Sequence, residues 1–335
     1  MPPGRSAGSN TVTAGQPGRA GGPLGALPPS ALVLAGIISV QVGAGLAGRL
    51  FSQAPPAAIT GLRLWSAAVL MAAFGARGLG RAVRGIARDR AWHDAAVAVA
   101  FGVALGVMNF SIYQSFARIP LGIAVTIEFL GPLAVAVVSS RRMIDLLWVA
   151  LAGAGVLLLG RGGTPLAPGA HAAAHGAGHT VAAGVAFALV AATAWAAYIL
   201  LSRSTGRRFS GSSGLTIAMV VAAAIVAPVG LAAGRGSLLR PAVLGTGVAI
   251  GLLSSVIPYR FELEALRRVP PRVFGIWMSL EPAAAALAGL VILGEALPVR
   301  EWAAIGCVMI ACAGSARGAP AAASPDDGLV PPPAT

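Results

Sequence analysis

The 335-residue chain contains no lysine, only two cysteines, and charged residues at just 10% of its length. Without lysine there is no P-loop cation for ATP and no Schiff-base amine for pyridoxal phosphate, so an ATP-driven pump working through its own chain and that class of enzyme are both excluded. Cys307 and Cys312 stand five apart, which on a helix turns them away from each other; they read as packing residues rather than a disulfide or metal pair. Polar composition is too sparse for a soluble domain of this size: 56% of residues are hydrophobic and mean hydropathy is +0.80.

What is present instead is a succession of apolar runs, each about 18 residues or longer, the mark of a polytopic helical membrane protein. They do not alternate as the strands of a β-barrel would. Ten spans are expected, at 30–50, 56–76, 94–116, 120–139, 144–160, 180–201, 213–233, 241–266, 272–293 and 299–316. The net charge of +13 does not point to nucleic acid, because the arginines sit almost wholly in the short stretches between apolar runs. They concentrate on one side of the membrane, which places both termini in the cytoplasm. Residues 1–29 and 317–335 read as disordered tails. Residues 161–179 form a low-complexity external loop, and its HxxxHxxxH pattern (His171, His175, His179) lacks a carboxylate or thiol partner for a metal.

The segment Trp277–Glu295 buries a carboxylate near the membrane midplane. Glu281 lies nine residues past Arg272, about 13 Å deep at 1.5 Å per residue, where an acidic side chain normally faces the bundle interior or a wet cavity. Pro282 follows it and is expected to kink or loosen the helix. An earlier segment repeats the arrangement. Arg118-Ile-Pro120 leads into a run carrying Glu128 and Pro132, as Arg268-Val-Pro270 leads into the run carrying Glu281 and Pro282. The prolines match at an offset of 150, the glutamates at 153. Five spans per half is an odd number, so the second half enters the membrane inverted, an architecture common in secondary transporters. The repeats are expected at 30–160 and 180–316.

Few polar groups lie at depth, and together they suit a small zwitterion. Arg63 is the candidate for a substrate carboxylate, and Glu128 or Glu281 for its ammonium or a coupling proton. Gln41, Asn109, Tyr113, Tyr259 and Ser279 are candidates to line the same space, with Pro132, Pro258, Pro282 and Glu262 as gating or structural positions. Plainer readings stay open: Arg63 snorkelling to the interface, the glutamates as structural partners of Arg63 or of backbone groups, and the amides Gln41, Asn109 and Gln114 as interhelical hydrogen bonds. Arg260 and Glu264, at i and i+4, are expected to pair. Gly102 and Gly106 form a GxxxG that implies close helix packing.

These residues carry a resemblance. The stretches IPLGIAVTIEFLGPLAVAV (119–137), SSVIPY (254–259), FGIWMSLEPAAAALAG (274–289) and LGE (293–295) resemble the drug/metabolite transporter superfamily, its EamA branch, and within it the inner-membrane threonine/homoserine exporter group. QVGAGLAGRLF (41–51), GLRL (61–64) and AWAAY (194–198) match more weakly. The resemblance implies a ten-span inverted-repeat carrier in the cell inner membrane. It would expel small amino acids by proton antiport with alternating access, with no cofactor and with a homodimer left open. The alternatives are a carrier of another small metabolite, an importer, and a membrane-embedded enzyme. The last finds no GxSxG or HExxH to support it.

Overall fold

The computed structural model describes residues 26–89, 91–139, 142–160, 177–209 and 213–318. His171 and His175 lie outside them, as do both tails beyond residues 26 and 318. Among the described residues thirteen α-helices follow one another: α1 Pro29–Leu50, α2 Pro56–Asp89, α3 Trp92–Phe116, α4 Leu121–Glu128, α5 Leu130–Ser139, α6 Ile144–Gly160, α7 Ala177–Arg208, α8 Ser213–Gly234, α9 Pro241–Gly251, α10 Ile257–Leu266, α11 Pro271–Met278, α12 Glu281–Ala288 and α13 Val299–Gly318. Joined end to end where they abut, they make, among the described residues, nine segments long and apolar enough to cross a membrane, and α6 adds a shorter apolar helix. Large apolar side chains such as Trp65, Phe74, Leu147 and Ile310 point outward, as they must where lipid is the solvent.

Helix packing repeats between the two halves. Spans two and seven pack together (α2 on α8), as do four and nine (α4 on α12) and five and ten (α6 on α13). Span one packs on span eight (α1 on α10), and the matching pair, six on three (α7 on α3), is present too. Exchanging the halves therefore leaves the pattern unchanged, as an inverted repeat requires. Glycine permits the closest crossings. A Cβ on Gly102 would enter Val221 and the Ala218 carbonyl of α8, and one on Gly230 would lie 3.0 Å from the Ala57 carbonyl of α2. The GxxxG therefore serves packing within the chain.

Two expectations change. Spans four and nine are broken helices. The interruption falls at Phe129 in one and at Ser279–Leu280 in the other. Pro132 and Pro282 sit just after the breaks, in the first turns of α5 and α12, where an N–H has no helical partner to lose. They start new helices rather than kink one. The other change is at Glu264, which pairs with Arg268 and lies 3.7 Å from Arg267 rather than joining Arg260. A glutamate N-terminal to its cation at i, i+4 is the favoured order on a helix, and Arg268 offers that order while Arg260 does not. Cys307 and Cys312 are free thiols, and Cys312 packs against the cluster of Leu133, Ala152 and Ala311.

Candidate substrate cavity

The broken helices end around a cavity of about 150 Å³ bounded by α1, α2, α3, α4, α7, α10, α11 and α12. Its polar lining is Gln41, Arg63, Asn109, Tyr113, Glu128 and Glu281, joined on one side by Ser254, Tyr198, Tyr259 and Glu262. Pockets for drug-sized ligands span roughly 300–1,000 Å³, so the space suits a compact metabolite.

Arg63 is 8% exposed and does not snorkel, and a rule of backbone chemistry fixes it. Pro258 has no N–H, so the carbonyl of Ser254, four residues earlier, loses its helical donor. The chain answers with a π-turn over Leu252–Val256, closed by the Ile257 N–H on the Leu252 carbonyl. Two carbonyls are thereby left for other donors: Arg63 Nη2 donates to Ser254 O at 2.9 Å, and Ser39 Oγ donates to Leu253 O at 2.7 Å. The guanidinium also lies 5.1 Å from the centroid of the Tyr113 ring, a favourable cation–π distance. Gly43 makes the meeting possible, since a Cβ there would overlap the Ser254 hydroxyl.

On the opposite wall Gln41 Nε2 donates to Glu281 Oε1 at 3.0 Å. Glu281 and Glu128 are 8% and 9% exposed. Among the described residues neither has an ion pair with Arg63 within 4 Å. Five atoms of the lining are buried without a hydrogen-bond partner among the described residues: Gln41 Oε1, Arg63 Nε, Tyr113 OH, Ser254 Oγ and Glu281 Oε2. They comprise a cationic donor, two hydroxyls and two acceptors, facing a space of metabolite size. Asn109 is engaged with its own helix, donating to Leu105 O at 2.8 Å. Ser279 stands at the helix break with its hydroxyl on the Ile276 carbonyl at 2.6 Å, and it does not line the cavity.

The two ends of the cavity differ. Tyr198, Tyr259 and Glu262 also line a larger vestibule of about 500 Å³, which runs past Thr216 and Arg260 to Glu264 and Arg267. At the other end the route is packed shut. Phe51 meets Tyr113 edge-on at 6.4 Å, Tyr113 stacks obliquely on Phe116, and Arg49 Nε donates to Ile292 O at 2.8 Å. Beside them Glu295, 6% exposed, accepts the Leu121 N–H at 2.8 Å and so caps α4 from the other repeat. Gly289 leaves the room for that carboxylate. Burial pushes the Glu295 carboxyl up to about 7, against the pull of the Leu121 N–H.

Arg63, Gln41, Glu128, Glu281, Tyr113, Tyr259 and Glu262 are thus brought together as the sequence suggests. Ser254, Tyr198 and Trp195, each a polar or aromatic group within a span, line the cavity as well. Glu295, which ends the LGE stretch at 293–295, carries no expected role in the sequence. Its signal was a carboxylate closing the apolar run that starts at Trp277.

The family model for EamA-like transporters matches residues 182–317. The threonine/homoserine exporter RhtA of Escherichia coli (strain K12) is 36% identical over 287 residues, covering 86% of this chain and 90% of that protein. RhtA of Salmonella typhimurium (strain LT2) is 35% identical over the same length. A shorter match, 27% over 128 residues, is to the uncharacterized transporter YwfM of Bacillus subtilis (strain 168). A solved crystal structure shares the fold with a TM-score of 0.54 at 21% identity, covering 86% of this chain and 96% of that one. The identity to relatives over almost their whole length, together with the family match to residues 182–317, means that this chain belongs to the EamA-like transporter family.

Proposed function

We propose that the protein is a secondary carrier that exports small amino acids of the threonine and homoserine kind. The observation that carries this reading is the set of five buried, unpartnered polar atoms around the cavity. Arg63 Nε, with the hydroxyls of Tyr113 and Ser254, receives the carboxylate and a side-chain hydroxyl. Glu281 Oε2 and Gln41 Oε1 receive the ammonium, with Glu128 completing the negative wall. A space of about 150 Å³ favours an amino acid over a larger drug, and the substrates named for the RhtA relatives are of this size and charge. Another small zwitterion, or net import, is the second reading; the gradients across the membrane, rather than the fold, set the direction of flux.

Proton antiport belongs to the same proposal. A carboxylate in a cavity beside a fixed cation exchanges its counter-charge when the substrate ammonium leaves, and a proton is the smallest replacement. Alternating access would rock the halves, 30–160 against 180–316, about the cavity, with the sealed end opening as the vestibule closes. Arginine bias places the vestibule and both termini in the cytoplasm of a cell inner-membrane protein. Whether one or two copies assemble does not alter this cycle.

The test is uptake of labelled threonine and homoserine into proteoliposomes, preloaded or empty, with and without an imposed pH gradient. Saturable exchange that the gradient steepens is the expected result. Absence of exchange by correctly folded protein overturns the substrate assignment, and exchange indifferent to the gradient overturns the proton coupling.

A further inference from the structure

Helix α2 does more than cross the membrane. Its apolar part ends at Ala76, yet the helix continues to Asp89, thirteen residues or about 20 Å further. Its partner α3 starts at Trp92 and has 25 residues against 34 for α2. At their far ends Pro56 and Ala117 border the same cleft. The two helices therefore join nearly common levels at both ends, although α2 is nine residues longer, about 13 Å. Slant or bend must absorb that excess, so the extension runs obliquely across the membrane face instead of standing upright from it.

The extension is two-sided. At 100° per residue Arg81, Arg84 and Arg88 fall within an arc of about 60°, and Leu79, Ala82, Val83 and Ile86 cluster on the opposite side. The three arginines are exposed, while Leu79, Ala82 and Ile86 are half-buried. Arg84 Nε donates to Gly80 O at 2.9 Å, which lays its side chain along the helix. The neighbouring helix ends add charge of the same sign. Gly78 approaches Ser213 at the start of α8, and exposed Arg203, Arg207 and Arg208 close α7. At the start of α3, His93 and Asp94 are both held by Arg208.

We propose that the α2 extension is a binding site for the headgroups of anionic phospholipids, with Arg81, Arg84 and Arg88 on the phosphates and the apolar side at the acyl boundary. The occupant follows from where the helix lies: a basic two-sided helix running obliquely at a bilayer surface meets headgroups before any other anion. Arginine suits them, because its planar fork engages a phosphate through two parallel hydrogen bonds. This site is separate from the cavity and does not depend on the substrate.

The experiment uses the full-length protein in neutral detergent, titrated with phosphatidylglycerol or phosphatidylcholine in mixed micelles, with the melting temperature as readout. Phosphatidylglycerol is expected to stabilise the protein at concentrations where phosphatidylcholine does not. Raising salt from about 0.1 to 1 M, which cuts the screening length from about 10 to 3 Å, should weaken the effect. In the triple variant Arg81→Gln, Arg84→Gln, Arg88→Gln the half-maximal concentration should rise at least about tenfold, at roughly fivefold per cation, while exchange in phosphatidylcholine vesicles stays as in the wild type. Equal response to the two lipids overturns the proposal, as does a wild-type response in the variant or the same stabilisation by inorganic phosphate. Should the Gln variant fail to fold, the Lys triple and the salt titration of the wild type decide. A response to phosphatidylglycerol that salt leaves unchanged refutes the site.

Discussion

The two repeats interrupt their fourth helices at matching places, Phe129 in one and Ser279 in the other, 150 residues apart, but they put their carboxylates on opposite sides of the break. Glu128 is the last residue of α4 and Glu281 the first of α12. At the same offset Glu281 corresponds to Gly131, and the two positions make equivalent contacts with different chemistry. Gly131 presses on the Ala192 carbonyl of α7, while Glu281 accepts a hydrogen bond from Gln41 of α1, and Gln41 is one residue from the counterpart of Ala192. The symmetric fold thus decides where the chain can break and which helices meet. The substitution of a polar pair for a backbone contact then makes the two breaks chemically unlike.

Breaking the polar pair should have the largest effect. Glu281→Gln keeps the shape and one acceptor but removes the charge that faces the cavity. Exchange should fall by at least about tenfold, the equivalent of ~1.4 kcal/mol or more in binding, with expression and melting temperature near wild type. Unchanged exchange would take Glu281 out of the mechanism and leave Glu128 to hold the negative wall. The matching apolar contact should respond in stability instead. Gly131→Ala drives a methyl into the Ala192 carbonyl, an overpacking worth about 1–3 kcal/mol. Gly153→Ala on α6 meets nothing within 4 Å and should stabilise by up to about 1 kcal/mol through helix propensity. Thermal denaturation of the two variants side by side measures the difference, and equal melting temperatures would mean that α5 and α7 are not so close.

Much of this is legible in the amino-acid sequence. Hydrocarbon demands about 20 apolar residues per crossing and tolerates charge only where it is buried in protein, so the spans, Arg63, Glu128 and Glu281 stand out of the sequence. The helix breaks do not, because Phe129 and Ser279–Leu280 carry no glycine or proline; the stop is set by the ring of helices around them, and the prolines come after it. Arg63 was visible as a buried cation, but its aim depends on a carbonyl freed by Pro258 in the other half. The Arg260–Glu264 pairing failed because Glu264 has cations four residues away in both directions, and spacing alone does not choose between them.

Glu295 escaped for a similar reason: its partner, the Leu121 N–H, is a backbone group 174 residues away. It offers the third comparison, between the sealed end and the vestibule. The carboxyl has an ordinary value near 4.5 and is pushed up to about 7 by burial. Between those values the folded protein holds a proton that the unfolded chain has lost, so stability should fall as pH rises through that window and level off above it. The size should be about 1–2 kcal/mol, less than the full shift implies because the site is not wholly dry. In Glu295→Gln, whose amide oxygen still accepts the Leu121 N–H, this fall should vanish. Melting curves at several pH values that stay parallel for variant and wild type would remove the carboxyl as their cause.

The smallest effect tests why the seal has no twin. At the offset of 150 Leu121 corresponds to Pro271 and Glu295 to Asp145, and proline has no N–H to give, so the equivalent bond cannot form. Pro271→Leu restores the donor. Pro271 is exposed at the first position of α11, where an N–H is satisfied by water. The variant should therefore lose only the ~0.4–1 kcal/mol by which proline restrains the unfolded chain, with exchange and pH response unchanged. Asp145 is buried with one oxygen unpartnered among the described residues, which makes the alternative concrete. If the new N–H reaches it, the melting curve gains a carboxylate's pH dependence and exchange slows as the vestibule end closes. That outcome would show that a single proline keeps the two ends of the carrier unlike.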